Sequence, residues 1–236
     1  MNKVGENITT QNASWSFAGD VPKTFDTHVS KSVPMYNEGH NLICRLSDFF
    51  LSDTSKCYEI GSSTGELTKK LAQHNNHKNI NFIGIDPIIE MTNAAIDKCK
   101  EIPNISFIND DILNIDLEKT DLIVSYYTIQ FIKPRVRQLV FDKIYESLNW
   151  GGAFILFEKV RACDARFQDM MTALYTDYKL EQGYNEEQII SKTRSLKGVL
   201  EPFSTQGNLD LLKRAGFTDI TSVFKYVSFE GFLAIK

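Results

Sequence analysis

The segment Glu59-Ile60-Gly61-Ser62-Ser63-Thr64-Gly65 joins a short apolar run to an amphipathic one, and its glycines let a ligand approach the backbone closely. A flat or anionic group is the natural occupant. A dinucleotide-binding turn would place a glycine where Ser63 stands, so pyrophosphate is disfavoured. Taken alone, such a turn is equally an ordinary strand-to-helix connection. Asp86, followed by Pro87, closes the apolar run that ends at Ile85, where a carboxylate can accept both hydroxyls of a ribose. Asp111 follows a third run and can accept from an adenine amino group, with Ile112 packing on the ring. Either aspartate by itself is as well explained by capping or turn formation. Three consecutive strand ends together favour a nucleoside.

Other chemistry finds little support. His74 and His77 sit in a polar loop with no cysteine or carboxylate completing a metal-ligand spacing, so no metal is expected. Ser62-Ser63 lacks the Gly-x-Ser-x-Gly nucleophile elbow. Cys44, Cys57, Cys99 and Cys163 are too dispersed for a disulfide framework or metal knuckles, which points to a reducing, cytoplasmic setting. With 26 Lys+Arg against 30 Asp+Glu, the net charge of −4 does not suit a nucleic-acid coat. No apolar run reaches a membrane-spanning length, and Asn2, Glu6 and Asn12 interrupt any signal-peptide segment, so neither a membrane nor direct nucleic-acid binding is expected.

The elements that must position these residues alternate. Short apolar runs at Cys57–Ile60, Asn81–Ile85, Ile105–Ile108, Asp121–Ser125 and Gly152–Phe157 read as parallel strands. Amphipathic stretches near Gly65–Gln73, Ile88–Lys100 and Arg135–Leu148 read as the crossover helices. Upstream, spacing of Leu42, Ile43, Leu46, Phe49 and Phe50 predicts a helix over Asn37–Leu51. A helical insertion over about 161–207, periodic in Phe167, Met170, Met171, Leu174 and Tyr178, breaks the alternation. A helix over Asn208–Arg214 and two runs, Ile220–Tyr226 and Phe229–Ile235, end the chain as a hairpin. The expected fold is therefore α/β, a doubly wound Rossmann-like sheet of seven strands with N-terminal helices and a helical insertion before the last strands. At 236 residues, a polar lead-in over 1–24 and a single domain over 25–236 account for the length.

From Cys57 to Lys159 the chain resembles the class I S-adenosylmethionine (SAM) dependent methyltransferases, on its acidic Gly-rich turn and the acids after the second and third strands. The resemblance implies SAM, or its products carboxy-SAM or S-adenosylhomocysteine, held by Glu59, Gly61, Ser62, Ser63, Gly65, Asp86, Pro87, Asp111 and Ile112. From Phe25 to Lys236 it is most similar to the carboxy-SAM synthases that serve wobble-uridine modification of tRNA. That likeness rests on Phe25-Asp26, Ser32-Val33-Pro34-Met35-Tyr36, Gln130-Phe131, Asp142-Lys143-Ile144-Tyr145, Leu148-Asn149-Trp150-Gly151-Gly152, Glu158-Lys159, Gly183-Tyr184 and Lys192-Thr193-Arg194-Ser195.

The resemblance places a cofactor-binding tyrosine at Tyr36 and, at Arg194, the arginine that holds the product's extra carboxylate. A guanidinium does clamp carboxylates well, although a solvated surface arginine is the plainer account of Arg194. Tyr126 and Tyr127, at the fourth strand end, could present a ring face to the sulfonium or simply line the sheet edge. The reading is a SAM-dependent one-carbon transferase, most generally a methyltransferase acting on a small, anionic molecule, with no catalytic base assigned. Its alternatives are a carboxy-SAM synthase using SAM and prephenate, and a non-catalytic SAM-binding or scaffold protein. A homodimer is expected if the insertion exposes its aromatic stripe.

Overall fold

A computed structural model describes residues 2–5 and 8–236; Met1, Glu6 and Asn7 of the lead-in lie outside the described residues. The main sheet has seven strands: β3 (Lys56–Ile60), β4 (Asn81–Ile85), β5 (Ile105–Ile108), β6 (Thr120–Tyr126), β7 (Leu148–Lys159), β8 (Asp219–Tyr226) and β9 (Phe229–Ile235). They stand in the order β5-β4-β3-β6-β7-β9-β8. Strands β3 to β7 run parallel and β9 is antiparallel to both its neighbours. Two short strands, β1 (Asn2–Lys3) and β2 (Thr9–Thr10), form a separate ribbon.

Alternation along the strands feeds two cores. Leu122 and Val124 of β6 and Ile155 and Phe157 of β7 face the layer of α2 (Tyr36–Ser47) and α3 (Glu66–His74). Ile123, Phe154 and Leu156 face the layer containing α5 (Pro134–Ser147) and α8 (Thr205–Ala215). Each buried Phe, Leu or Ile contributes about 1.5–3 kcal/mol, which holds the central strands rigid. Helix α4 (Ile89–Cys99) connects β4 to β5. The sequence marks β7 over its apolar middle only; the strand extends to Lys159 because Ala153–Lys159 pairs with β9, and to Leu148 because that residue pairs with Thr120 of β6.

The insertion is helical, as expected, and is built of two helices. Helix α6 (Ala165–Glu181) starts at Asp164, whose side chain accepts from the Phe167 amide, and the chain turns at Gly183 with φ +88°. Helix α7 (Glu186–Ser195) opens with a capping box between Asn185 and Gln188. The lead-in is tied to α7: Ala13 and Trp15 amides donate to the carbonyls of Arg194 and Ser195, at 3.0 and 3.2 Å. Helix α1 (Phe25–Ser32) follows the lead-in and covers the rim of the sheet. Asp26 accepts there from the Thr64 hydroxyl and from Lys98 Nζ, each at 2.6 Å.

Candidate functional site

Register alone brings the acidic residues together. Ile60 pairs with Ile85 and with Ser125, and Ile85 pairs with Ile108, so the next residues of each strand leave the sheet at one rim. This is the carboxyl edge beside the point where strand order reverses, the place where open α/β sheets hold ligands. The rim borders a cavity of about 1280 Å³. Tyr36, Glu59, Gly61, Ser62, Ser63, Asp86, Pro87, Asp111, Ile112 and Tyr126 all line it.

The turn after β3 is held down by the Gly61 and Ser62 amides, which donate to the Ile85 carbonyl at 2.7 and 3.0 Å. Gly61 sits at φ +76°, and a Cβ there would run into the Thr128 side chain. Gly65 does not line the cavity. It starts α3 at φ +75°, and a Cβ on it would lie 2.9 Å from Phe107, so its role is close packing of helix on sheet.

Asp86 is buried, with Oδ2 accepting from the Ser63 amide and Oδ1 from the Ile88 amide, both at 2.9 Å. Each oxygen keeps a further lone pair, so the carboxylate is oriented and can still accept two hydroxyls. Burial pushes its pKa up, and the two amides oppose that shift. Glu59 is more extreme. Its carboxyl accepts from the Thr68 hydroxyl and is pushed up to about 8, chiefly by burial and further by Asp86. Asp111 is exposed and caps the short turn Ile112–Asn114, its Oδ1 accepting from the Leu113 amide at 2.9 Å. Capping occupies one oxygen and leaves the other for a ligand; Ile112 behind it is buried.

The middle wall is aromatic. Tyr126 lies 5.1 Å from Tyr36, 4.7 Å from His40 and 4.6 Å from Tyr127, ring centre to ring centre. Its hydroxyl donates to the Tyr36 carbonyl at 2.7 Å and occupies the space that a side chain at position 39 would need, so Gly39 is what admits it. Met35, Ser63 and Tyr127 are three of the six non-glycine residues with positive φ among the described residues. All three flank this cavity, where left-handed backbone is retained at a cost of about 1–3 kcal/mol each. The buried Ser62 Oγ and Tyr127 hydroxyl have no hydrogen-bond partner among the described residues. An oriented carboxylate, a glycine turn and two orphaned hydroxyls fit a polar nucleoside such as SAM.

The far wall is basic. Lys159, at the end of β7, Arg161 beyond it and Lys179 of α6 line the same cavity. Gln130 fixes Lys159: its Oε1 accepts from the Lys159 amide at 2.8 Å while its Nε2 donates to the Tyr127 carbonyl at 3.0 Å. Arg194 is exposed and is not among the lining residues, whereas Lys192, Thr193 and Lys197 are. The physical reason is helical periodicity: Gln188, Lys192 and Leu196, four residues apart, line the cavity, and Arg194, two residues from Lys192, falls on the opposite side of α7. The sequence reading passes over Lys159 as a binding group, although a lysine closing an apolar strand is a signal, and Lys179 shows only once the insertion folds back.

A family described as "Methyltransferase domain" matches residues 58–152. A carboxy-S-adenosyl-L-methionine synthase of Staphylococcus epidermidis is 37% identical over 223 residues, 94% of this chain and 97% of the relative. One from Nautilia profundicola is 38% identical over 94% of each chain. Among solved structures, human N-acetylserotonin methyltransferase in complex with SAM superimposes with a TM-score of 0.58 at 19% identity, covering 83% of this chain and 51% of that enzyme. The CurJ carbon methyltransferase gives a TM-score of 0.65 at 14% identity, over 91% of this chain and 59% of its own. At those identities the structures speak for the fold.

Proposed function

We propose, from the premise that the chain belongs to the carboxy-S-adenosyl-L-methionine synthase family of SAM-dependent transferases, that it makes carboxy-SAM from SAM and prephenate. One observation carries the choice of product: relatives of that name match this chain nearly end to end, insertion and hairpin included. SAM supplies the methyl carbon that accepts the carboxyl group prephenate loses; the balance closes with phenylpyruvate and water. The broader reading, one-carbon transfer by SAM to a small molecule, holds whichever product forms.

The residues divide the work. Asp86 holds the ribose hydroxyls, Asp111 the adenine amino group and Ile112 the ring. Ser62 and Ser63 contact the nucleoside from the glycine turn, with Pro87 at its edge. Glu59 and the Tyr36–Tyr126 pair face the cationic end, where burial strengthens a carboxylate and ring faces attract a sulfonium. Gln130 and the left-handed Tyr127 fix the strand end beside the reacting carbon. Helices α1, α6 and α7 exclude water, so alignment and desolvation do the work that a dedicated base would otherwise do. Arg194 retains the role at the product's extra carboxylate, from an exposed position next to Thr193, which lines the cavity.

Incubation with SAM and prephenate, followed by mass spectrometry, tests the reading. A product heavier than SAM by one carbon dioxide supports it, and unchanged SAM overturns it. Arg194→Ala should weaken carboxy-SAM binding far more than SAM binding; equal effects remove Arg194 from the site. The homodimer belongs to the same proposal, because Phe167, Met170 and Leu174 form an exposed stripe on α6. Light scattering that reports a monomer contradicts it. No helix among the described residues is long and apolar enough to cross a membrane, and action in the cytoplasm on a small molecule completes the proposal.

A further inference from the structure

Two lysines share one aromatic ring at the basic wall. Lys159 Nζ lies 4.1 Å from the centre of the Tyr175 ring and 5.7 Å from that of Phe229. Lys179 Nζ lies 4.6 Å from the centre of the same Tyr175 ring. The ring is fixed, since the Tyr175 hydroxyl donates to the Ser32 carbonyl at 2.7 Å. Lys179 is 8% exposed and Lys159 is half-buried.

Neither ammonium has a carboxylate partner among the described residues. Lys179 is pulled down to about 8 by burial alone. Lys159 falls to about 7 by burial, with Lys179 and then Arg161 adding repulsion. A buried charge without a counter-ion is costly, and a second like charge across one ring makes it more so. Cation–π contact offsets only part of that cost. Lys236, by contrast, has three backbone carbonyls as acceptors, and Lys98 has two carboxylates. The unpaired lysines both line the cavity that holds Asp86, on its opposite wall.

We propose that Lys159 and Lys179 form the anion subsite that takes the two carboxylates of the acid substrate, and that the pair selects small dicarboxylic acids over neutral or monoanionic analogues. The proposal rests on the reading of the chain as a transferase whose second substrate is an acid. It assigns the acid donor's carboxylates to these lysines, separately from the product carboxylate assigned to Arg194. Two ammonium groups packed against one fixed ring match the two negative charges of a dicarboxylate. The Gln130 contact keeps Lys159 at a fixed height above the strand end, so the acid is placed near the nucleoside's reacting carbon.

The test compares wild type with Lys159→Met and Lys179→Met, which keep the aliphatic volume and remove the charge. With SAM saturating, each variant should raise the KM for prephenate by about tenfold or more, as loss of a charge-assisted contact does. SAM affinity by calorimetry should stay within about twofold, and melting temperatures should hold or rise, because an uncompensated buried charge has gone. A wild-type KM in both variants, a parallel loss of SAM affinity, or a lowered melting temperature overturns the subsite. If wild type forms no carboxy-SAM, the reaction reading fails and the subsite is decided separately. Calorimetric titration of prephenate and malonate then supports it when binding is lost in the variants, and overturns it when wild type binds neither acid or the variants bind as well.

Discussion

The two ends of the cavity bury charge in opposite ways. At the nucleoside end, Asp86 is gripped by two backbone amides and Glu59 by a threonine hydroxyl, so the geometry exists before any ligand arrives. At the basic end, Lys159 and Lys179 are held, among the described residues, by aromatic faces and backbone position. The first end is preorganised for a nucleoside; the second is electrostatically complete only with an anion in place.

The largest expected effect breaks the first end alone. Asp86→Ala removes the proposed ribose acceptor and leaves the Ser63 and Ile88 amides without theirs, so SAM affinity should fall by roughly 100-fold or more. Dicarboxylate binding at the lysines should persist in the same calorimetric titrations. Equal loss of both ligands would mean that the two ends do not bind independently.

pH separates the ends next. The Glu59 carboxyl stays protonated up to about 8 in the free protein, and a cationic ligand favours its carboxylate. SAM affinity should therefore climb as pH rises, by up to about tenfold per unit, and level off above pH 8. Prephenate binding should run the other way, weakening as pH rises through about 7 and about 8, where Lys159 and Lys179 lose their protons. The groups facing Lys159 are Tyr175 and Lys179 of α6, Phe229 of β9 and Arg161 beyond β7, none of which supplies a compensating negative charge. Parallel pH profiles for the two ligands would contradict the assignment.

Stability gives a smaller reading of the same charges. Glu59 has a folded pKa raised from 4.5 to about 8, so the folded chain holds a proton the unfolded one gives up over that interval. Its contribution to stability is greatest below pH 4.5 and declines as pH rises through about 8. Glu59→Gln should flatten that decline in denaturant titrations. Smallest, and confined to the aromatic wall between the ends, Gly39→Ala should cost about 1–3 kcal/mol by displacing the Tyr126 hydroxyl. Chemical denaturation measures it, and an unchanged midpoint would show that the wall yields.

The convergence of the acidic rim on one cavity was legible in the sequence because local rules write it. Gly61, Asp86 and Asp111 each follow an apolar run that fixes a strand end, and register then aligns those ends without further information. Asp111 shows that the capping and ligand readings of an aspartate need not compete, since one oxygen caps and the other is open. Gly65 reads as part of the turn but acts in packing against Phe107, a contact between segments far apart in sequence. The basic end was not legible for the same reason. Lys159 and Lys179 share one ring only because α6 folds back to set Tyr175 against both, and no spacing rule encodes that contact. Arg194 illustrates the converse: a motif names the residue, while helix phase decides which way it faces.

Crystals soaked with SAM test the central claim most directly, that consecutive strand ends and the lysine wall enclose one two-ended site. The ribose hydroxyls should lie within hydrogen-bonding distance of Asp86, with the adenine against Ile112 and the sulfonium methyl directed toward the Lys159 wall. Density for the nucleoside outside the cavity, or a ribose turned away from Asp86, would contradict it.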